Sequence, residues 1–157
     1  LIAPGPWQFG IGSWGECLPY HENQMTLDRT KRDQWGQPIV NFDCSWKANE
    51  LAMRKDMQAS AVEMLEASGL KNVKGFDDVV NSAPGNCIHE MGTARMGRDP
   101  ERSVVNEWGR SHDVKNLFIV DGSVFVTGGG VNPTSTIQAV ALYIADQIKS
   151  RLATLFD

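Results

Sequence analysis

The chain is 157 residues long, which is enough for one domain with a hydrophobic core or for two small lobes. A hydrophobic content of 41% and a charged content of 22% are ordinary for a globular protein, and a net charge of −4 without a basic stripe argues against nucleic acid as a partner. The apolar runs are too short to span a bilayer. The three cysteines, an odd number without a CxxC pair, argue against a disulfide framework and a zinc site, and predict small buried or half-buried thiols.

The first part of the chain predicts an irregular segment followed by two strands. Residues 1–23 are rich in Gly, Pro and Trp and lack periodicity, which favours an irregular loop that lines a ligand. Residues 24–28 predict a weak strand, and residues 39–46 predict a better one because they are β-branched and aromatic. The polar stretch 29–37 between them predicts an antiparallel pair with a long connection.

A helix is predicted over residues 48–68. Gly69 is well placed to be the left-handed residue that follows its end. Apolar side chains recur at helical spacing along this segment, which favours core packing over a flexible binding face. These side chains are Met53, Met57, Ala61, Met64 and Leu65.

The middle of the chain predicts mostly surface structure. The charged stretch 94–115 predicts a surface excursion, with a brief strand at 103–105. Residues 117–120, Leu-Phe-Ile-Val, then predict a short buried strand. This strand is expected to run into a tight turn at Asp121 and Gly122.

The closing segment predicts the best-defined helix of the chain. Asn132 is a favourable N-cap, and Pro133 fits the first helical position, where its missing N–H group costs nothing. An apolar stripe follows at helical spacing. It consists of Ile137, Ala141, Ile144, Ile148 and Leu152.

The start of this helix is a candidate binding site for an anion or an electron-rich carbonyl group. Because Pro133 has no N–H group, the free donors are those of Thr134 and Ser135, and the helix dipole adds partial positive charge. The glycines at 128–130 allow a ligand to approach the backbone closely. The alternative is a plain capped helix after a flexible turn.

His89 is the candidate general base. It lies in a glycine-rich turn, and an imidazole can accept the proton of an alcohol hydroxyl near neutral pH. The alternative is a histidine that holds its loop together by hydrogen bonds, and His21 and His112 are interpreted as solvated or structural. No second histidine completes an HExxH motif after His89, so a metalloprotease is excluded and no metal site is predicted. The sequence also lacks a Gly-x-Ser-x-Gly elbow and a Walker loop.

Three segments, in this order, resemble the C-terminal part of the glucose–methanol–choline (GMC) oxidoreductases, which are FAD enzymes. They are His-Glu-Met-Gly-Thr-Ala-Arg-Met-Gly at 89–97, Asn-Leu-Phe-Ile-Val-Asp-Gly-Ser at 116–123 and Gly-Val-Asn-Pro-Thr at 130–134, followed by the closing helix. The sequence of the first segment is most similar to the matching segment of bacterial dehydrogenases that act on sugars, sugar acids and polyols. The resemblance is strong over the last seventy residues and less specific over the predicted strands and first helix.

The resemblance implies a role for each matching residue. His89 matches the family's active-site histidine, which takes the hydroxyl proton. Asn132 matches the second active-site position, which is His in some members and Asn in others. Asp121 and Gly122 match the turn that touches the FAD phosphates and ribityl chain. The start of the closing helix matches the one that faces the N1 and C2 carbonyl edge of the flavin in this family. Backbone N–H groups at such a helix start stabilise negative charge on the flavin. The matching residues are Asn132, Pro133, Thr134 and Ser135.

The resemblance also implies the fold class, an α+β or α/β architecture that forms the C-terminal part of a two-domain FAD flavoenzyme. Residues 1–85 correspond to a portion of the substrate domain, with an antiparallel sheet and the helix at 48–68. Residues 86–157 correspond to the active-site loop and a strand–helix piece of the FAD-binding domain. The family's Gly-x-Gly-x-x-Gly fingerprint is absent and the chain does not begin with Met, so we expect a fragment that lacks the N-terminal FAD-binding portion and does not bind FAD tightly alone.

The expected function is oxidation of an alcohol group of a sugar, sugar acid or polyol by hydride transfer to FAD. The expected partners are this small-molecule substrate and the N-terminal FAD-binding portion, with no nucleic acid and no transmembrane segment. Two alternatives remain open. The chain could be a non-catalytic folding or binding module, or part of a flavin-containing enzyme that resembles a hydroxynitrile lyase.

Overall fold

The computed structural model describes residues 4–78, 82–86 and 88–154. Among these residues, it contains one small antiparallel sheet and two α-helices, so the predicted mixture of strands and helices is confirmed. The elements in chain order are β1 (Gln24–Arg32), β2 (Pro38–Asp43), α1 (Ala48–Ala67), a 3-10 turn (Gly122–Val124), α2 (Thr134–Ser150) and a second 3-10 turn (Leu152–Thr154). No helix among the described residues is both long enough and apolar enough to cross a membrane.

Strands β1 and β2 form an antiparallel ribbon with a short connection, so the predicted long connection was wrong. β1 continues through the polar residues up to Arg32, because a two-stranded ribbon with exposed faces accepts polar side chains. The turn at 33–37 is organised by Asp33, whose Oδ1 accepts the N–H groups of Trp35 and Gln37 at 2.9 Å each. The second strand ends at Asp43, earlier than expected, and the N–H of Ser45 donates to a side chain, Asn23 Oδ1, at 3.1 Å.

Helix α1 spans Ala48–Ala67, close to the predicted 48–68. Its first turn is capped by Glu50, whose carboxylate accepts the backbone N–H of Lys47 at 3.0 Å. Gly69 adopts the left-handed conformation at φ +82°, as predicted, and its N–H donates to the carbonyl of Glu66 at 2.9 Å. The ends of this helix were therefore readable from sequence to within one residue.

The N-terminal half of the apolar stripe of α1, at Met53 and Met57, packs against the first segment of the chain. Met53, together with Met57, Ala61 and Leu65, is half-buried, and Met64 is 53% exposed, so the predicted core packing is met only in part: the stripe is partly covered and none of its side chains is fully buried. A Cβ atom on Gly15 would lie only 2.5 Å from Cε of Met53, which means that the backbone at Gly15 lies directly on the helix. Residues 4–23 are irregular, as predicted for this Gly-rich segment, and they are anchored to α1 at Gly15.

The charged stretch 94–115 contains much of the small core, so the prediction of a surface excursion was wrong. Val105 is 0% exposed, and isolated bridges join it to Met96 and Ser111. The polar side chains obscured this arrangement, because a single inward-facing valine in irregular backbone gives no periodic signal. The buried hydrophobic residues among those described are Val105, Val124 and Ile144.

The predicted buried strand at 117–120 is not formed. Leu117 and Val120 are 45% and 39% exposed, and the segment makes irregular hydrogen bonds to residues 109–111. The N–H of Ile119 donates to the carbonyl of Gly109 at 2.7 Å. Gly109, at φ +67°, interrupts the extended conformation that a regular ladder requires.

Helix α2 begins one residue later than predicted. Its N-cap is Pro133, with φ −86° and ψ −11°, so Asn132 lies just outside the helix and does not cap it. The first backbone bond of the helix runs from the N–H of Ile137 to the carbonyl of Pro133 at 2.9 Å. Along the apolar stripe Ile144 is buried, whereas Leu152 lies beyond the helix and is exposed. The stripe therefore faces the core as expected, up to the last turn.

Candidate functional site

The segment after His89 runs alongside the 3-10 turn at Gly122–Val124. The N–H of Ala94 donates to the carbonyl of Ser123 at 3.0 Å, and that of Met96 donates to the carbonyl of Val124 at 2.7 Å. Gly92, at φ +84°, lies close to the backbone of Phe125, since a Cβ atom on it would be 3.1 Å from that carbonyl oxygen. His89 itself is exposed. The structure thus holds the glycine-rich turn after His89 firmly while leaving the imidazole accessible.

Asp121 caps the 3-10 turn. Its Oδ1 accepts the N–H of Ser123 at 2.8 Å and the Ser123 hydroxyl at 2.5 Å. These side-chain and backbone hydrogen bonds from Ser123 lower the pKa of Asp121 below its ordinary value, against the weaker opposing effect of burial. The predicted tight turn is therefore present as a capped 3-10 turn with an ionised carboxylate.

Gly122 is the point at which three predicted parts of the site meet. A Cβ atom on Gly122 would lie 2.8 Å from Sδ of Met91 and 3.1 Å from Cδ1 of Ile137. Met91 is two residues after His89, and Ile137 lies in the first turn of α2. The Asp121 turn, the His89 segment and the start of α2 therefore form one neighbourhood.

The start of α2 presents free hydrogen-bond donors beside open space. Among the described residues, the N–H groups of Thr134, Ser135 and Thr136 have no acceptor. The preceding turn contains Gly129 and Gly130 at φ +70° and +69°, and no atom lies within 4 Å of the Cβ position at any of the glycines 128–130. The free donors and the open backbone are features that an electron-rich ligand requires, and binding of such a group here stays a prediction.

Asn132 has a different local role from the one predicted. Because Pro133 occupies the cap position, the carboxamide of Asn132 makes no capping hydrogen bond. The side chain is exposed and has no hydrogen-bond partner within residues 4–78, 82–86 and 88–154. Its amide donors and carbonyl acceptor are consequently available to a ligand. That Asn132 and His89 converge on one substrate stays a prediction.

Sequence reasoning missed Glu16. Its Oε1 accepts the N–H of Gly129 at 3.1 Å, across 113 positions of the chain. No local pattern around Glu16 signals such a distant contact, because it depends on how the first segment lies on α1.

His112 is a structural histidine, as predicted. Its Nε2 lies 3.0 Å from Oγ of Ser103 and 3.1 Å from the carbonyl oxygen of Gly97. Since the Ser103 hydroxyl donates to the carbonyl of Asp99 at 2.6 Å, Nε2 carries the proton and donates to both acceptors. His112 thereby fixes the loop at 97–103, and His21 is exposed to solvent.

The cysteines offer no reactive site among the described residues. Cys17 is half-buried and Cys44 is exposed, so the prediction of buried or half-buried thiols was wrong for Cys44, and Cys87 lies outside the described residues. Burial raises the pKa of both thiols, and nearby Glu50 raises that of Cys17 further, which disfavours the nucleophilic thiolate. The described part of the chain also contains no group of three or more His, Cys, Asp or Glu residues that could hold a metal ion.

Comparisons with known proteins identify the family. The model for the C-terminal domain of GMC oxidoreductases matches residues 19–141. The chain is 40% identical over 144 residues to 2-methyl-1,2-propanediol dehydrogenase of Mycolicibacterium austroafricanum, covering 92% of this chain and 26% of that protein. It is 31% identical over 145 residues to the gluconate 2-dehydrogenase flavoprotein of Pantoea cypripedii, covering 87% of this chain and 23% of the relative.

A third relative is the large subunit of fructose dehydrogenase from Gluconobacter japonicus, to which the chain is 31% identical over 139 residues. This match covers 87% of the chain and 24% of the relative. The chain spans about a quarter of the length of these curated relatives. The resemblance to dehydrogenases of polyols, sugars and sugar acids is confirmed by these matches. The chain therefore belongs to the GMC oxidoreductase family, as part of its C-terminal domain.

Proposed function

We propose that this chain is the C-terminal catalytic portion of an FAD-dependent oxidoreductase that oxidises an alcohol group of a sugar, sugar acid or polyol, with hydride transfer to the flavin. The observation that carries the proposal is the start of α2, where free N–H groups adjoin an open glycine turn in a chain of this family. Relatives named for a diol, for gluconate and for fructose support the substrate class.

The residues at the start of α2 fit the electron-rich edge of a flavin ring. The donors of Thr134, Ser135 and Thr136 lie at the positive end of the helix dipole, where they stabilise negative charge as it develops. The open space at glycines 128–130 permits a planar group to approach the backbone. FAD, when bound, would supply the hydride acceptor. The proposed cofactor-binding residues are Asp121, Gly122, Asn132, Pro133, Thr134 and Ser135.

His89 is proposed to take the proton of the substrate hydroxyl, and Asn132 is proposed to orient the substrate oxygen. Both side chains are exposed and hence accessible to a small molecule. Ile88, directly before His89, has φ +66°, which is strained for a β-branched residue, and such strain concentrates at functional sites. Because the Asn132 carboxamide neither titrates nor caps α2, it keeps both a donor and an acceptor for the substrate.

The proposed holoenzyme includes an N-terminal FAD-binding portion that covers apolar surface of this chain. Large aromatic side chains are exposed here, among them Trp7, Phe9, Trp14 and Phe42. Exposed apolar surface of this extent is typical of an interface. Within this arrangement, residues 1–85 form a portion of the substrate domain, and residues 86–157 form the active-site loop and a piece of the FAD-binding domain.

The proposal is tested by anaerobic reduction of the full-length protein with a panel of sugars, sugar acids and polyols. We expect at least one of them to bleach the flavin absorbance. His89→Ala should retain bound flavin but reduce it roughly 10²- to 10⁴-fold more slowly, because the general base is lost. His21→Ala, which removes an exposed histidine elsewhere, is the matched control and should bleach at the rate of the parent protein.

Each part of the proposal has its own contrary result. A full-length protein without bound flavin would contradict the cofactor assignment. Unchanged bleaching in His89→Ala would contradict the role of His89. Cleavage of a hydroxynitrile without flavin reduction would favour the lyase alternative over the dehydrogenase.

A further inference from the structure

The glycine turn before α2 makes a hydrogen bond to a segment that is distant along the chain. Oε1 of Glu16 accepts the N–H of Gly129 at 3.1 Å. Within the described residues, this is the one hydrogen bond that joins residues 126–132 to another segment. Because the glycines at 128–130 have no neighbours at their Cβ positions, side-chain packing does not fix the turn either. The carboxylate of Glu16 is therefore the hydrogen-bond acceptor that ties this turn to another described segment.

Glu16 is itself presented from a fixed support. Just before it, Gly15 lies so close to α1 that a Cβ atom there would meet Met53 at 2.5 Å. Two residues after it, the N–H of Leu18 donates to Oε1 of Glu50 at 3.1 Å, and Glu50 is only 2% exposed. The backbone on both sides of Glu16 is thus anchored to α1. The carboxylate of Glu16 therefore links the turn at Gly129 to helix α1.

The turn leads directly into the proposed active site. Asn132 follows Gly129 by three residues, and the free donors of α2 begin at Thr134. Consecutive glycines have more backbone freedom to lose than any other residues, so an untethered turn would spread Asn132 over many positions. A displacement of about 1 Å of an orienting group can lower a rate by roughly 10²-fold.

We propose that Glu16 is a positioning residue that ties the Gly128–Gly130 turn to α1 and thereby fixes Asn132 and the start of α2 relative to the substrate. The catalytic part of this inference rests on the proposed function. The tether itself depends only on the contacts of Glu16, Gly129 and α1.

The experiment compares Glu16→Ala, Glu16→Gln and the control Glu63→Ala in the full-length protein. Glu63 is an exposed acid on α1, so its removal tests for a general effect of charge. Glu16→Ala should accelerate amide hydrogen exchange over residues 126–132 roughly tenfold or more, as expected for loss of a hydrogen bond to a charged group. Glu16→Gln should stay near the parent rate, because its amide oxygen can still accept the N–H of Gly129. Glu63→Ala should leave the exchange unchanged.

Kinetics then test whether the tether acts through Asn132. Glu16→Ala should lower kcat for the alcohol substrate roughly tenfold or more while bound flavin is retained, and Glu16→Gln should restore most of it. In an Asn132→Ala background, Glu16→Ala should cost much less, because two residues that act together are not additive. A purely structural effect would be the same in both backgrounds, and this result would overturn the positioning role.

The remaining outcomes separate the inference from the proposed function. Unchanged exchange over 126–132 in Glu16→Ala would overturn the tether. Equal loss in Glu16→Gln and Glu16→Ala would overturn it as well, since charge and not the hydrogen bond would then matter. Faster exchange in Glu16→Ala, in a protein whose flavin no alcohol reduces, would support the tether and refute the proposed function.

Discussion

Replacing Glu50 by alanine should destabilise the protein by about 3–5 kcal/mol. The Glu50 carboxylate is 2% exposed and accepts hydrogen bonds from the backbone N–H of Leu18 at 3.1 Å, the N–H of Lys47 at 3.0 Å and the side-chain amide of Asn49 at 3.2 Å. The two backbone N–H groups lose their acceptor in a part-buried site and cost about 1.5–2 kcal/mol each, whereas the side-chain amide of the exposed Asn49 can bond to water instead. Loss of a negative charge in the first turn of α1 adds about 0.3–1 kcal/mol.

The assay is urea denaturation at neutral pH, with the free energy of unfolding compared between the parent and variant proteins. Glu63→Ala, on the exposed side of the same helix, controls for the general effect of removing a glutamate from α1 and should change the free energy by less than about 0.5 kcal/mol. A Glu50→Ala protein as stable as the Glu63→Ala control would refute the assignment of these hydrogen bonds to stability.

The same contacts give Glu50 a pH signature. Burial alone would raise the pKa of Glu50, but hydrogen bonds from Leu18, Asn49 and Lys47 outweigh burial and lower it below its ordinary value of 4.5. A carboxyl whose pKa is lowered by folding stabilises the native state above its unfolded pKa and loses that contribution as the pH falls through the folded pKa. Stability should therefore fall as the pH drops below about 4.5, and less steeply in Glu50→Gln. Parallel acid titrations of the two proteins would contradict this explanation.

Two further substitutions test the neighbourhood of the proposed site. Gly122→Ala should lower stability by about 1–3 kcal/mol through overpacking, because the new methyl group would meet Met91 and Ile137, and thermal unfolding measures the loss; an unchanged midpoint would show that the neighbourhood is loosely packed. Asp121→Ala should cost about 1 kcal/mol, because Ser123 loses the cap for its N–H and hydroxyl groups, whereas Asp121→Asn, whose amide oxygen can still accept, should lose less. Equal losses in the two Asp121 variants would contradict capping as the cause.

The two helices could be predicted from the sequence because the apolar pattern of a helix is local and repeats over many residues. The spacing of Met53 and its stripe, followed by Gly69, placed α1 to within one residue. The predicted N-cap at Asn132 differed from the observed one at Pro133 by one position, because the local residue preferences at a helix start do not specify a single first residue. This shift of one residue nevertheless decides whether the Asn132 side chain caps α2 or is left without a capping hydrogen bond.

The irregular structure of residues 94–120 could not be predicted from the sequence in this way. Val105 is buried by backbone that returns on itself at Gly109, and the apolar residues at 117–120 join this irregular structure instead of a sheet. Neither arrangement produces a periodic pattern. The contact between Glu16 and Gly129 is equally invisible, because it joins positions 113 residues apart. The motifs identified the candidate residues of the site, but only three-dimensional contacts reveal what supports them.

The position of Pro133 has a consequence for how the site can evolve. The start of α2 is defined by the backbone and by the ring of Pro133, so the stability of the helix start does not depend on the side chain at position 132. An imidazole in place of the amide would therefore change the chemistry offered to a substrate without loosening the scaffold. Because the start of α2 does not depend on this side chain, a single residue change at position 132 can alter the group presented there while the helix keeps its first turn.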